Sequence, residues 1–348
     1  MTSATITKII EQGERFVSGQ RLPFQTLELV KPDKTSVIIE LEATPQTSIQ
    51  LYRVGDKVWL DSAATTTSNP KSSWIITDYN RQEPLLVLAL LFAVLVIGIG
   101  KWRGFWSLIA LGLSFLIITF FTVPLITTGW NPILISILTA VLILPVNFYL
   151  SHGWQLKTHL ALGSTILALI ITSFLAQVFI QTAHLTGMAS EEAGFLLVEN
   201  PDLINFQNLI LAAVIVGALG ILDDVTVSQT SVVFELKAAN PNFNWRELYR
   251  RGMKIGQDHI SSMVNTLVLV YAGAALPLLL LFSRSSKSFG ELINSEIIAE
   301  EIIKTLTGSI GLIFAAPLTT LLAALVLNHP KFKKFSFSQS KESHSHPH

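Results

Sequence analysis

The sequence predicts a mainly α protein, a polytopic membrane bundle of about seven transmembrane helices, with a small N-terminal all-β domain of the OB or SH3 type. Three observations lead there. Half of the 348 residues are apolar and only 14% are charged, against the roughly 25% charged residues of an ordinary soluble domain. The charge is ordinary in density up to Arg81 and then confined to short islands. Between those islands lie apolar runs near the roughly 20 residues that cross a bilayer.

Residues 1–20 are polar and mixed in charge, with no apolar stretch of the kind a signal peptide needs. From Leu22 to about Trp74 the strand-like runs LEL, SVIIELEA, SIQLY and KVWLD alternate with the turn-type stretches LVKPDKT, ATPQT and RVGD. That pattern predicts a small barrel or sandwich over 21–75. It lacks a face of interleaved basic and aromatic residues, so docking or assembly is the expected role. Thr65 to Lys71 reads as a polar linker.

Candidate spans cover about 84–100, 104–128, 132–150, 158–180, 208–234, 261–283 and 305–327 within a transmembrane domain of 84–328. Trp102, Trp106, Trp130 and Trp154 fall at span ends, where an aromatic belt belongs. Placing the N-terminal domain outside a plasma membrane puts Lys101, Arg103, Lys157, Lys237, Arg246, Arg250, Arg251 and Lys254 inside, and Arg284, Lys287 and Lys304 outside. The 181–207 loop has no Lys or Arg but contains Glu191, Glu192, Glu199 and Asp202, which fits the exterior. Export of the β-domain then requires either that the first span translocates it or that the native chain starts further upstream.

Composition also excludes functions. Formal net charge is zero, so no basic footprint for nucleic acid is present. Cysteine is absent, which excludes disulfides, thiolate metal sites and a cysteine nucleophile. Neither a P-loop, a GxSxG elbow nor an HExxH helix occurs, and no cofactor is expected. The tail 329–348 is basic and Ser-rich; His329, His344, His346 and His348 would ligate a metal or belong to a flexible polar terminus.

The chemistry is concentrated between Leu209 and Pro277. Ionisable residues at bilayer depth cost at least a few kcal/mol and so point to function. Asp223 and Asp224 interrupt the run LILAAVIVGALGILDDVTVSQTSVVFEL, and Asp224, Ser228, Ser231 and Glu235 follow i, i+4, i+7, i+11 as one helical stripe. Asp258, Ser262 and Asn265 repeat the device at i, i+4, i+7, after a short basic loop from Arg246 to Lys254. Two such stripes facing each other would border a hydrated cavity able to exchange protons or hold a cation among hard oxygen ligands. Alternatively the first span ends at Leu222 and residues 223–239 lie on the membrane surface. Pro277 and Pro317 sit inside the last two spans and are expected to break their helices, as in many transporter sites.

Gly217-Ala218-Leu219-Gly220 with Asp224-Val225, the run Gly252-Met253-Lys254-Ile255-Gly256-Gln257-Asp258 and the run from Asn265 to Gly273 resemble the YibE/F-like membrane proteins. Asp78-Tyr79-Asn80-Arg81 and Gly55-Asp56 are also similar, so the resemblance spans about 20–328. It implies a multi-pass, permease-like protein with a small extracytoplasmic β-domain. The positions that match are Asp224, Asp258, Asn265 and Tyr271; Asp223 stands where the family pattern has an apolar residue, and the N-terminal membrane helix of the family is missing.

The expected function is that of a permease or secondary transporter for a small solute or ion, with Asp224 and Asp258 carrying protons or cations and Asn265 and Tyr271 lining the path. The alternative is a non-transporting scaffold or sensor whose β-domain binds an extracytoplasmic partner and whose basic stretch meets anionic lipid or another protein. An intramembrane aspartyl protease using Asp224 and Asp258 lacks its GxGD context, so no enzymatic activity is expected.

Overall fold

The computed structural model describes residues 1–17, 20–43, 50–62, 74–199, 204–284 and 286–329. They form two compact units, Met1–Leu95 and Val96 onward. The linker 65–71 and the histidines beyond residue 329 lie outside the described residues.

The first unit is a five-stranded antiparallel sheet of β1 (Thr2–Val17), β2 (Gln20–Val30), β3 (Ser36–Glu42), β4 (Lys57–Ser62) and β5 (Trp74–Tyr79), in the order β3-β2-β1-β4-β5. The edge strands β3 and β5 touch, which curls the sheet into a five-stranded, partly open barrel of the OB arrangement. The polar stretch 1–20 is therefore no preamble. It contains β1, the central strand, which pairs with β2 along its length and with β4 over Thr2–Thr5. Register shifts between Ile6 and Lys8 and between Ile9 and Glu11 mark irregularities that bend this long strand.

Ala4, Ile6, Leu27, Leu29, Ile39, Val58 and Leu60 fill the barrel. Gln25, fully buried, donates through Nε2 to the Tyr52 carbonyl at 2.8 Å and accepts from the Tyr52 amide at 2.9 Å. That bidentate bond ties β2 to the segment leading into β4. Burial pushes the Tyr52 phenol above its ordinary value, with Tyr79 adding to the effect. A phenol raised on folding lends stability that is complete below its unfolded pKa and is lost as pH rises through the folded one. In a spectrophotometric titration of the full chain, Tyr52→Phe should therefore remove amplitude from the late, high-pH part of the tyrosine ionisation. An unchanged late amplitude would contradict the packing.

Helices follow: α1 (Gln82–Ile117), a π-helical turn Ile118–Thr122, α2 (Val123–Thr127), α3 (Pro132–His152), α4 (Leu156–Thr182), α5 (Glu191–Glu199), α6 (Phe206–Ala239), α7 (Trp245–Ala274), α8 (Leu276–Ser283), α9 (Phe289–Ile293) and α10 (Glu296–Asn328). Asparagines cap three of them: Asn131, Asn205 and Asn244 each accept a backbone N–H at 2.9 Å.

Among the described residues five helical stretches are long and apolar enough to cross a membrane, or six when the bent pair α7 and α8 counts as one. The first of them, Gln82–Thr127, is broken at Lys101, whose φ of 50° and ψ of −132° are not helical. A Cβ on Gly104 would lie 2.2 Å from the Val96 carbonyl oxygen. Residues eight apart in a straight helix are about 12 Å apart along its axis, so the chain doubles back there. Many of the large apolar side chains of these stretches stay exposed, among them Leu85, Leu88, Leu91 and Ile99 in α1 and Leu269, Leu280 and Leu281 near the α7–α8 bend. Hydrocarbon suits such surfaces better than water does.

The core of the second unit joins α3, α4, α6 and α10 through Phe148, Ala168, Ala176, Leu222, Val225, Leu312 and Ala315. Small and hydroxylated residues permit close approach, as is usual where lipid supplies no hydrophobic drive between helices. A Cβ on Gly311 of α10 would lie 2.0 Å from Thr172 Oγ1 of α4. Most of the buried hydroxyls donate to carbonyls one turn back on their own helix, as Thr165, Thr172, Thr319 and Thr320 do.

The boundaries differ from the hydropathy pattern in physically clear ways. Arg246 to Lys254 is not a loop but the first turns of α7, whose Leu248, Gly252 and Gly256 are buried while Arg246, Arg250, Arg251 and Lys254 are exposed. Pro277 accompanies a break as expected: α7 and α8 are bent by 62° and Pro277 opens α8. Pro317 does not. It lies within the uninterrupted helix α10, which membrane helices tolerate when neighbouring helices and hydroxyl side chains compensate for the lost backbone bond.

Candidate functional site

Helix α6 is the centre of the second unit, packed against α3, α4, α7 and α10. Its buried face runs through Leu222, Val225, Thr226, Gln229, Thr230 and Val233. Gln229 is its polar hub: Nε2 donates to the Gly252 carbonyl of α7 at 2.8 Å and to Thr320 Oγ1 of α10 at 2.7 Å. Room for the Gln229 side chain comes from α7, because a Cβ on Gly256 would stand 2.9 Å from its amide group. One turn nearer the α6 N-terminus, Thr226 Oγ1 meets Thr165 Oγ1 of α4 at 2.6 Å and also approaches the Asp223 carbonyl at 3.1 Å.

The two carboxylates sit just above this seam. Asp224 is exposed on the flank of α6, within electrostatic reach of His259 of α7 and His152 at the end of α3. Asp223 is half-buried, and its Oδ1 finds no hydrogen-bond partner among the described residues; the same holds for His152 Nδ1. Ser228 joins the group, its Oγ 3.4 Å from His259 Nε2 while donating to the Val225 carbonyl at 3.1 Å. Ser231 is half-buried and Glu235 exposed further along the same flank.

Ser228, one turn after Asp224, therefore meets α7, but through a different face of it than the sequence spacing suggests. Asp258, Ser262 and Asn265 are exposed, whereas the α6–α7 contact runs through Gly252, Gly256 and His259, with Ile260, Met263 and Val264 packed against the core beyond them. The stripe Gly252, Gly256, His259, Met263 is an i, i+4, i+7, i+11 series of its own, and its two glycines are the sequence signal that this face makes the close contact. Tyr271 lies higher on α7, half-buried, 3.8 Å from where a Cβ of Gly217 on α6 would be.

A second charged group stands at the level of Tyr271. Lys304 Nζ of α10 lies 2.6 Å from Glu300 and 3.3 Å from Glu301, with all three side chains partly buried. Tyr271 is within electrostatic reach of Glu301 and Lys304. Hydropathy places these three residues outside the last span, in a short exterior loop; in the structure they are the second and third turns of a helix that starts at Glu296. No group of three or more His, Asp or Glu among the described residues is placed to hold a metal ion.

A family model for YibE/F-like proteins matches residues 88–329, more than half of the chain. The chain belongs to the YibE/F-like family. Comparisons with curated proteins and with solved structures give no match. The YibE/F-like region takes in all of α6, α7 and α10 and leaves the barrel outside, so the similarity noted at Gly55-Asp56 and Asp78 to Arg81 lies beyond the matched segment. Within the matched region, Gly217 of α6 lies near the Tyr271 hydroxyl, and Gly252 and Gly256 are the α7 contact with Gln229. The compared runs thus divide between the α6–α7 seam and an exposed face that carries Asp258 and Asn265.

Proposed function

We propose that this YibE/F-like chain is a permease of the secondary-transporter type, in which the α6 carboxylates exchange a proton or cation as a small solute moves. The observation that carries this reading is the contact of Ser228 of α6 with His259 of α7 at 3.4 Å, with Asp224 one turn away and a buried Asp223 oxygen without a partner among the described residues. Side chains of these types are costly inside an apolar bundle and are the ones that relay protons in pumps and transporters. The Ser228 hydroxyl, in contact with His259, gives the relay a neutral donor and acceptor. Asp258, Ser262 and Asn265, on the exposed face of α7, are assigned to the approach to the site rather than to the exchange. Tyr271 lines the path at the level of Glu301.

The concentration of Lys and Arg between Lys237 and Lys254 favours an arrangement with that end in the cytoplasm and the barrel outside the plasma membrane. Proteoliposomes carrying an internal pH dye test the function: a panel of metal ions, organic cations and organic anions should include a solute that changes the internal pH, and Asp224→Asn should abolish that response. A panel without any response removes the reading.

The barrel, which lies within the compact unit Met1–Leu95, supports a second reading as a scaffold or sensor with a partner bound outside the membrane. Loss of cellular function on deleting residues 2–79, with Asp224→Asn silent, would favour it.

A further inference from the structure

The 62° bend between α7 and α8 roofs a cavity of about 270 Å³ against α10. Val268, Ala272, Ala275, Leu278 and Leu279 form one wall, and Ile298, Ile302 and Leu306 the other. Only Tyr271, Glu301 and Thr305 bring polar atoms to it. Its depth follows from Glu296, the first residue of α10, whose Oε1 accepts from Thr186 Oγ1 at 2.8 Å and from the Gly187 amide at 2.9 Å. Gly187 lies against the Phe206 carbonyl, where α6 starts. Glu301 is five residues below Glu296, about 8 Å along the helix, and so belongs to the helical layer rather than to its edge.

Two features give the cavity a preferred ligand. The first is charge balance: Glu300 and Glu301 share the single ammonium of Lys304, which leaves one negative charge over. Lys304 is nearer to Glu300, at 2.6 Å, than to Glu301, at 3.3 Å, so the surplus rests on Glu301, the carboxylate that lines the cavity. A partly buried charge without a full partner is costly and favours a cation. The second is the apolar wall with the Tyr271 ring set in it, which suits hydrocarbon substituents and a cation–π contact. Metal ions, strongly hydrated, gain nothing from such a wall.

We propose that this cavity binds an amphiphilic organic monocation, an amine or quaternary ammonium with apolar substituents, using Glu301 as its counter-charge and the Tyr271 ring as its wall. The binding site stands on the cavity itself; only its use as a substrate site rests on the permease reading. Equilibrium dialysis of radiolabelled tetraphenylphosphonium against the full chain in nanodiscs of zwitterionic lipid tests it.

The wild type should show one saturable site per chain that tetraphenylborate does not compete for. Glu301→Gln should weaken binding about tenfold or more, the scale expected for losing one charge-assisted contact. Leu279→Trp, which fills the cavity without touching its charges, should do the same in a protein of unchanged helix content and size. Asp224→Asn should bind as the wild type does. Saturable binding in the absence of any solute-linked proton movement keeps the site and removes the permease. Unsaturable binding, equal competition by tetraphenylborate, or unaltered affinity in both Glu301→Gln and Leu279→Trp overturns the proposal.

Discussion

Gly311→Ala should destabilise the helical unit by about 1–2 kcal/mol, although alanine is the better helix former by about 1 kcal/mol. The new Cβ would stand 2.0 Å from Thr172 Oγ1, and 3.1 Å from both Thr172 Cβ and Cγ2. Thr172 has little freedom to yield, because its side chain is branched at Cβ and its hydroxyl donates to the Ala168 carbonyl at 2.8 Å. Overpacking of this kind costs about 1–3 kcal/mol and so outweighs the gain in helix propensity. Two comparisons isolate the cause. On a Thr172→Ala background the penalty should shrink markedly, since Oγ1 and Cγ2 are gone and only the Cβ at 3.1 Å remains close. Gly308→Ala, where nothing stands within 4 Å of the added carbon, should stabilise outright. Thermal unfolding of the purified chain reads all three, and equal effects at 308 and 311 would contradict the close approach of α4 and α10.

Lys304→Met should cost about 3 kcal/mol, the lower end of the range for a buried ion pair that loses one partner, because the three side chains are only partly buried. The methionine keeps most of the volume, so the loss is electrostatic: Glu300 and Glu301 are left side by side with no ammonium between them. Lys304→Met with Glu300→Gln should recover much of the stability, since only one carboxylate then stays unpaired. Loss of stability in the single variant without recovery in the double variant would mean that Lys304 acts through packing of its stem rather than through its charge.

Hydropathy alone makes the helical layer and its approximate segments legible, because an apolar run of fixed length leaves few alternatives. It is less informative where charges sit on a helix that extends past its apolar stretch. Arg246 to Lys254 and Glu296 to Lys304 look like loops when averaged, yet each is amphipathic, with a buried face at Leu248, Gly252 and Gly256 or a charged triad closed within one helix. The barrel is readable at β2, β3 and β4, whereas β5 runs past the expected boundary at 75 and Gln50 to Tyr52 of the SIQLY run form no strand. The central strand β1 is not readable, because its register shifts interrupt the simple alternation that marks a strand. The α6 half of the candidate site was legible from Asp223, Asp224 and Ser228. Its α7 half was obscured by Asp258, the adjacent carboxylate, whereas the side chain that reaches α6 is His259. Spacing identifies the faces of a helix; which face is turned inward depends here on Gly252 and Gly256, where the absence of a side chain matters more than any charge.

The account turns on Asp224 working with His259 at the α6–α7 contact. The most direct test is solute-linked proton movement measured side by side in proteoliposomes of the wild type, Asp224→Asn and Asp258→Asn. The wild type should respond, Asp224→Asn should not, and Asp258→Asn should keep a response that is at most slowed. A wild-type rate in Asp224→Asn, or loss confined to Asp258→Asn, would contradict it.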